Sequence, residues 1–225
     1  MSSLVMYNAH EGTAVLTLNN PPANTYSYEL MRELDESVLK ARMDHDVHVI
    51  VLTGAGDKFF CAGADIAMLA KADPAFKYNF CLHANETLCR LEQTPKLVIA
   101  ALNGHAVGGG LEIAMAADIR IARQGAAQFG LPEVKLGVLP GTGGTQRLAR
   151  LVGKARAMEL MVTGRLVAVE EASALGIVTT VWDDAALNGR SFVDAVLAYA
   201  GEFVPPRPRR ARSGGSNAPF NQAPR

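Results

Sequence analysis

The chain has 225 residues, 49% of them hydrophobic, and its 22 basic and 22 acidic side chains cancel to a formal charge of +0. That length and apolar content suit one domain with a real core, and no run approaches the ~18 consecutive apolar residues of a membrane span. Five arginines (Arg207, Arg209, Arg210, Arg212 and Arg225) lie in residues 204–225, which leaves 17 basic against 22 acidic side chains in residues 1–203. The body of the chain is therefore net negative, at −5, and lacks the basic surface that nucleic acid demands. Cys61, Cys81 and Cys89 are odd in number and form no CxxC pair. They fit a reducing compartment rather than a disulfide framework or a zinc knuckle. The first residues lack a basic segment followed by a long apolar one, so the expectation is a cytoplasmic protein without a membrane partner.

Short β-like runs alternate with helix-like ones. Residues 14–18 read as a strand closed by the Asn-Asn-Pro-Pro turn at 19–22. Residues 27–42 read as an amphipathic helix, with Ser27 as N-cap and Leu30, Leu34, Val38 and Ala41 on one face. Residues 47–53 form a β-branched strand ended by Gly54-Ala55-Gly56. Asp73-Pro74 starts a helix to about Gln93 that is expected to bury Phe76, Phe80, Leu88 and Leu91. A strand at 96–102, a short helix carrying Glu112 and a strand at 118–122 follow. Helices are expected over 146–151 and 154–162, then a strand at 177–182 and a helix over 185–202. The alternation implies a layered α/β architecture with largely buried strands. After Phe203 the Arg/Pro/Gly/Ser-rich stretch 204–225 cannot bury enough apolar surface to fold alone, and is expected to be disordered.

Two glutamates follow glycine- or proline-rich turns: Asn103-Gly104-His105-Ala106-Val107-Gly108-Gly109-Gly110-Leu111-Glu112, and Phe129-Gly130-Leu131-Pro132-Glu133. An ionised carboxylate among apolar neighbours is costly unless it is paired or used. Two brought together push their proton affinities apart, which yields one acid and one base. Taken alone, Glu112 reads as a helix N-terminal carboxylate and Glu133 as a solvated loop residue.

These segments, together with Phe59-Phe60-Cys61-Ala62-Gly63-Ala64-Asp65-Ile66 and Pro140-Gly141-Thr142-Gly143-Gly144-Thr145-Gln146-Arg147-Leu148, resemble the crotonase (enoyl-CoA hydratase/isomerase) superfamily in order, spacing and composition. The likeness extends from about residue 5 to 203. It implies a spiral of β-β-α turns over residues 1–185 with a C-terminal helix at 186–203, an acyl-CoA thioester substrate, and a homo-oligomer, usually a trimer or hexamer. It implies Ala64 and Gly109 as backbone donors of an oxyanion hole. It also implies reversible syn-addition of water to a 2-enoyl-CoA, in which Glu112 deprotonates the water and Glu133 delivers the proton to Cα. Asp65 and Ile66 are expected to border the thioester, Ala62 to bind substrate, Gly141 to line the water site, and Ala23 and Lys58 to lie near CoA. No metal or cofactor is expected beyond the coenzyme A of the substrate.

Two positions depart from the pattern. Relatives often carry a lysine where this chain has Ala67, and they continue past Phe203 with helices where this chain has its Arg/Pro/Gly/Ser tail, as a slipped reading frame would produce. An isomerase of the same fold, or a catalytically impaired acyl-CoA-binding subunit, are the alternatives. Other motifs read more simply. Gly54-Ala55-Gly56 has Phe59 at the third glycine position of a dinucleotide loop, and residues 141–145 lack the Gly-Lys-Ser/Thr of a phosphate loop. Cys61 reads as a small buried filler, His105 as a turn or core histidine, and Asp44 to His48 as the lead-in to a buried strand rather than a metal site.

Overall fold

Alternate residues of the central strands are apolar on both sides, and the structure uses both faces. The computed structural model describes residues 3–206. In chain order they form β1 (Val5–His10), β2 (Thr13–Leu18), α1 (Tyr28–Met43), β3 (Val49–Gly54), β4 (Phe59–Cys61), α2 (Ile66–Lys71), α3 (Pro74–Glu92), β5 (Leu97–Leu102), β6 (His105–Val107) and α4 (Gly109–Met115). There follow β7 (Ile119–Arg123), β8 (Gln128–Gly130), a 3-10 turn (Glu133–Leu136), α5 (Gly144–Val152), α6 (Lys154–Thr163), β9 (Val167–Ala168), α7 (Val169–Ala174), β10 (Thr180–Trp182), α8 (Asp184–Leu187) and α9 (Phe192–Gly201).

Two sheets result. The larger has the order β1-β2-β3-β5-β7-β10, and the smaller β4-β6-β8-β9. All pairings are parallel except β1 with β2 and β8 with β9. Each turn of the chain thus places one strand in the large sheet (β3, β5, β7) and the next in the small sheet (β4, β6, β8), with helix in the return after β4 and after β6. Ile50, Leu52, Val98, Ala100, Leu102 and Ala122 face the main core. Their alternates Val49, Val51, Ile99, Ala101 and Ile121 pack under Phe192, Ala195, Val196 and Ala200 of α9. Period-2 burial on both faces is the signature of a covered parallel sheet.

The junctions between the sheets are stitched by two buried asparagines. Asn103 Nδ2 donates to the carbonyls of Gly54 and Gly56, while its Oδ1 accepts from Gly54 N–H. Asn24 Nδ2 donates to Ala55 and Phe59 carbonyls. The Gly54-Ala55-Gly56 stretch therefore spends its backbone on internal pairing.

The N-caps expected at Ser27 and Asp73 are formed, accepting from Leu30 N–H and Phe76 N–H. Other expectations need correction. Phe76 is 37% exposed, because it lies in the first turn of α3, outside the covered face of Phe80, Leu88 and Leu91. The single helix expected over 185–202 is two. Asn188 (φ +49) and Gly189 (φ +75) take left-handed conformations, and Ser191 caps a new start by accepting from Asp194 N–H. Asn-Gly is a turn signal that outweighed the apolar periodicity around it. The late strand covers only Thr180–Trp182, while Ile177 and Val178 pack in the core ahead of it. Val204 continues the last turn and packs over Gly12. Residues 207–225, the greater part of the stretch expected to be disordered, lie outside the described residues.

Candidate active site

The small sheet positions the site. β4, β6 and β8 are consecutive parallel neighbours, ending at Cys61, Val107 and Gly130. Parallel strands present their carboxyl ends on one side, where ligands of open α/β sheets collect. Ala64 lies just beyond β4, Gly109 just beyond β6 and Glu133 just beyond β8. Three segments far apart in sequence therefore meet there.

Ala64 forms an isolated parallel bridge with Tyr26. The bridge uses Tyr26 N–H to Gly63 O at 2.9 Å and Asp65 N–H to Tyr26 O at 3.0 Å. In such a bridge the central residue's own N–H points away from its partner. Ala64 N–H accordingly has no backbone acceptor among the described residues. Gly109 opens α4, so its N–H precedes the first intrahelical acceptor. The two donors are close together: a Cβ placed on Gly63 would lie 3.2 Å from Gly109 N. Gly108 makes the turn possible. Its φ of +58 is in the region that side chains avoid, and a Cβ there would come within 3.1 Å of Glu133 Oε1.

The two glutamates occupy different surroundings. Glu112 is 1% exposed on α4. Its Oε1 accepts from Thr142 N–H at 2.9 Å and Gly144 N–H at 2.7 Å, and its Oε2 accepts from the Thr142 hydroxyl. Burial raises its proton affinity, while these donors and the nearby Arg147 oppose the rise. Glu133 opens the 3-10 turn, and its Oε2 is buried with no hydrogen-bond partner. Burial, with a smaller push from the Glu112 charge, raises its pKa to about 7.

The remaining expected residues scatter more widely. Ala62 N–H bonds Ala23 O at 3.0 Å, so Ala62 and Ala23 adjoin near Ala64. Asp65 turns its carboxylate to cap α2, accepting from Met68 N–H at 3.1 Å. Ile66 is 59% exposed. Lys58 is exposed beside the Phe59 ring. Gly141 faces Cys81 Sγ, 3.2 Å from where its Cβ would lie, and directly precedes Thr142. Cys61 is buried, which pushes its thiol up to about 12, in keeping with a filler. His105 Nδ1 accepts from Gln128 N–H at 3.0 Å, in keeping with a turn histidine.

Sequence reasoning passed over Thr142, which gives Glu112 two donors, and Arg147, which holds Thr142 in place. Arg147 is buried, donates to Thr142 O at 2.8 Å and pairs with Glu92 at 2.8 Å. The sequence carries only an arginine five residues after a glycine-flanked threonine, and its burial is seen in the structure alone.

The chain's residues 8–195 match the family model described as Enoyl-CoA hydratase/isomerase. The chain is 45% identical over 169 residues to the short-chain-enoyl-CoA hydratase of Clostridium acetobutylicum, covering 75% of this chain and 64% of that one. It is 40% identical over 178 residues to the crotonyl-CoA hydratase of Syntrophomonas wolfei, covering 79% and 68%. The chain thus spans about two thirds of these relatives' lengths. Among solved structures, the enoyl-CoA hydratase of Bacillus anthracis superposes with a TM-score of 0.82 at 36% identity, covering 89% of this chain and 76% of that one.

Proposed function

The chain belongs to the enoyl-CoA hydratase/isomerase family, and from that premise we propose that it is an enoyl-CoA hydratase, adding water reversibly and syn to a 2-enoyl-CoA thioester. The observation that carries this reading is the pair Glu112 and Glu133, one saturated with donors and one with an orphaned oxygen, flanking the Gly108-Gly109 turn. The thioester oxygen accepts from Ala64 N–H and Gly109 N–H, which stabilise the enolate as charge develops. Donors around Glu112 favour its ionised form, so it takes a proton from water as the hydroxyl adds to Cβ. Glu133 has only its own backbone N–H as donor, with Oε2 unpartnered, and burial holds its proton up to about pH 7, so it protonates Cα. Dehydration runs the same steps backwards. The similarity to the short-chain-enoyl-CoA and crotonyl-CoA hydratases supports crotonyl-CoA as the first substrate to try.

The reaction calls for no metal or redox cofactor, because the acidity of the thioester and the oxyanion hole suffice. A homo-oligomer, trimer or hexamer, is proposed from the exposed apolar side chains Leu136, Val138, Leu139, Met158 and Val162 of the 3-10 turn region and α6. Light scattering after size exclusion tests it, and a monomer at micromolar concentration contradicts it. A cytoplasmic location is proposed from the three free thiols. Among the described residues no helix is long and apolar enough to cross a membrane.

The test of function is loss of the enoyl-thioester absorbance of crotonyl-CoA, with product identified by mass. Addition of one water by the parent, abolished in Glu112→Gln and in Glu133→Gln, is the expected result. A product of unchanged mass, or no reaction with a range of enoyl-CoA thioesters, overturns it.

A further inference from the structure

The loop that holds Glu112 is shaped from behind by one stripe of α3. Cys81, Asn85, Cys89 and Glu92 follow one another at helical spacing and meet residues 141–147. A Cβ on Gly141 would lie 3.2 Å from Cys81 Sγ, and one on Gly143 would lie 3.0 Å from Asn85 Oδ1 and 2.2 Å from Arg147 Nη1. Arg147 Nη2 lies 3.7 Å from Cys89 Sγ and donates to Glu92 Oε2 at 2.8 Å, with Nε donating to the same oxygen at 3.2 Å. The Glu92 side chain, at the end of α3, is 41% exposed, whereas the Arg147 side chain is 5% exposed. Among the described residues no other carboxylate forms an ion pair with Arg147.

Thr142 and Gly144 both donate their N–H groups to Glu112 Oε1, at 2.9 and 2.7 Å. Gly143 between them has φ +94 and ψ 6, and N–H groups on either side of such a left-handed residue form a concavity for an anion. The peptide unit joining Thr142 to Gly143 lies between the two donors, and its carbonyl accepts from Arg147 Nη1 at 2.8 Å. Fixing that carbonyl fixes the plane on which the direction of both donors depends. A buried guanidinium is itself held only as firmly as its partner holds it. That partner is Glu92, so an unbroken run of hydrogen bonds leads from the edge of α3 to Glu112.

We propose that Glu92 is a positioning residue for the water-activating carboxylate: it anchors Arg147, Arg147 fixes the Thr142 carbonyl, and the Thr142–Gly144 backbone then presents two N–H groups to Glu112. The catalytic part rests on the reading of Glu112 as the base. Two effects of Glu92 on Glu112 have opposite signs, which makes them separable. As a negative charge alone, Glu92 disfavours ionisation of Glu112, so its removal would lower the affinity of Glu112 for a proton. As an anchor it keeps the donors of the ionised form in place, so its removal raises that affinity. The charged or titratable groups beside Glu112 are Arg147 of α5, Glu133 of the 3-10 turn, Cys81 of α3 and the buried Tyr26, and of these Arg147 alone is bonded to Glu92.

The experiment uses Glu92→Ala, Glu92→Gln, Arg147→Met and the double variant of Glu92→Ala with Arg147→Met, with folding checked by circular dichroism. With crotonyl-CoA, Glu92→Ala is expected to lower kcat roughly tenfold at nearly unchanged KM, the behaviour of an interaction realised in the transition state. Glu92→Gln keeps an oxygen that accepts from Arg147 and is expected to recover most of that loss. In the Arg147→Met background Glu92→Ala is expected to have no further effect. Independently of turnover, glutamate labelled with carbon-13 at the carboxyl reports the Glu112 titration, assigned by its loss in Glu112→Gln. Glu92→Ala is expected to move that titration to higher pH, and Glu92→Gln to leave it near that of the parent. A Glu112 titration that stays in place or moves to lower pH in Glu92→Ala, or kcat losses that add in the double variant, overturn the proposal. If the parent chain turns over no enoyl-CoA, the hydratase reading falls, and the labelled titrations of the two Glu92 variants alone decide whether Glu92 positions Glu112.

Discussion

Replacing Glu133 by glutamine removes a carboxyl that the fold holds in the wrong state for neutral pH. In the unfolded chain its pKa is the ordinary 4.5, and in the native chain it is about 7. The native state therefore binds the extra proton between those values, so stability falls as pH rises from about 4.5 through about 7 and levels off above. This is the reverse of the usual salt-bridged carboxylate. The full shift corresponds to about 3 kcal/mol, and partial solvent exposure screens it to about 1–2 kcal/mol between about pH 5 and pH 8.5. Glutamine is isosteric and carries no titration. Any offset from its new amide hydrogen bonds does not depend on pH, so the slope alone is diagnostic. At roughly 2–4 °C per kcal/mol for a chain of this size, the Tm difference between Glu133→Gln and parent is expected to grow in favour of glutamine by roughly 2–8 °C over that range. Thermal unfolding of both proteins, followed by circular dichroism in a matched buffer series, reads it directly. A Tm difference that stays constant with pH refutes the claim that Glu133 is a strained carboxylate. A difference that grows in the opposite direction shows it to be ion-paired.

The same proton governs the reaction. Hydration is expected to decline as pH rises through about 7, when Glu133 loses the proton that Cα must receive, and dehydration of the 3-hydroxyacyl-CoA is expected to rise over the same range. Initial rates in both directions across a pH series check this, and parallel profiles count against the assignment. Gly109→Ala forces a methyl carbon to within 2.2 Å of Tyr26 Oη. An overpacking cost of about 1–3 kcal/mol is expected in the urea midpoint, and shrinking Tyr26 to leucine in the same chain should recover part of it. Arg147→Met leaves Thr142 O without its donor and Glu92 without its partner. A loss of about 2–4 kcal/mol is expected, with kcat falling more than KM rises, because Thr142 then holds Glu112 less firmly. Chemical denaturation and steady-state kinetics on the one variant test both halves.

What could be read from the sequence divides along physical lines. α1 and α3 were legible because local chemistry decides them: a capping Ser27 or Asp73, then apolar residues at helical spacing. The long buried strands β3 and β5 were legible as runs of β-branched and apolar residues. The three-residue strands β4, β6 and β8 were not, since three residues carry no period, and their pairing depends on Asn24 and Asn103 joining loops more than 30 positions apart. Those short strands are nevertheless what converge Ala64, Gly109 and Glu133. Motif resemblance reached these residues where periodicity did not. It named both glutamates but was silent on how they differ, because the difference lies in which donors reach each carboxyl. Glu112 receives its donors from Thr142 and Gly144, 30 and 32 positions downstream. Glu133 receives none at Oε2, although it too is withdrawn from water. Burial alone pushes both groups toward the neutral form, so burial cannot separate an acid from a base. Donors can, because they lower the free energy of the ionised carboxylate only. Deleting the Thr142 hydroxyl should therefore make the two glutamates more alike, raising the affinity of Glu112 for its proton while leaving Glu133 nearly unchanged. The carboxyl-labelled titrations of Thr142→Val and parent, compared site by site, measure that convergence. Equal movement of both groups shows that something other than these donors keeps the two apart.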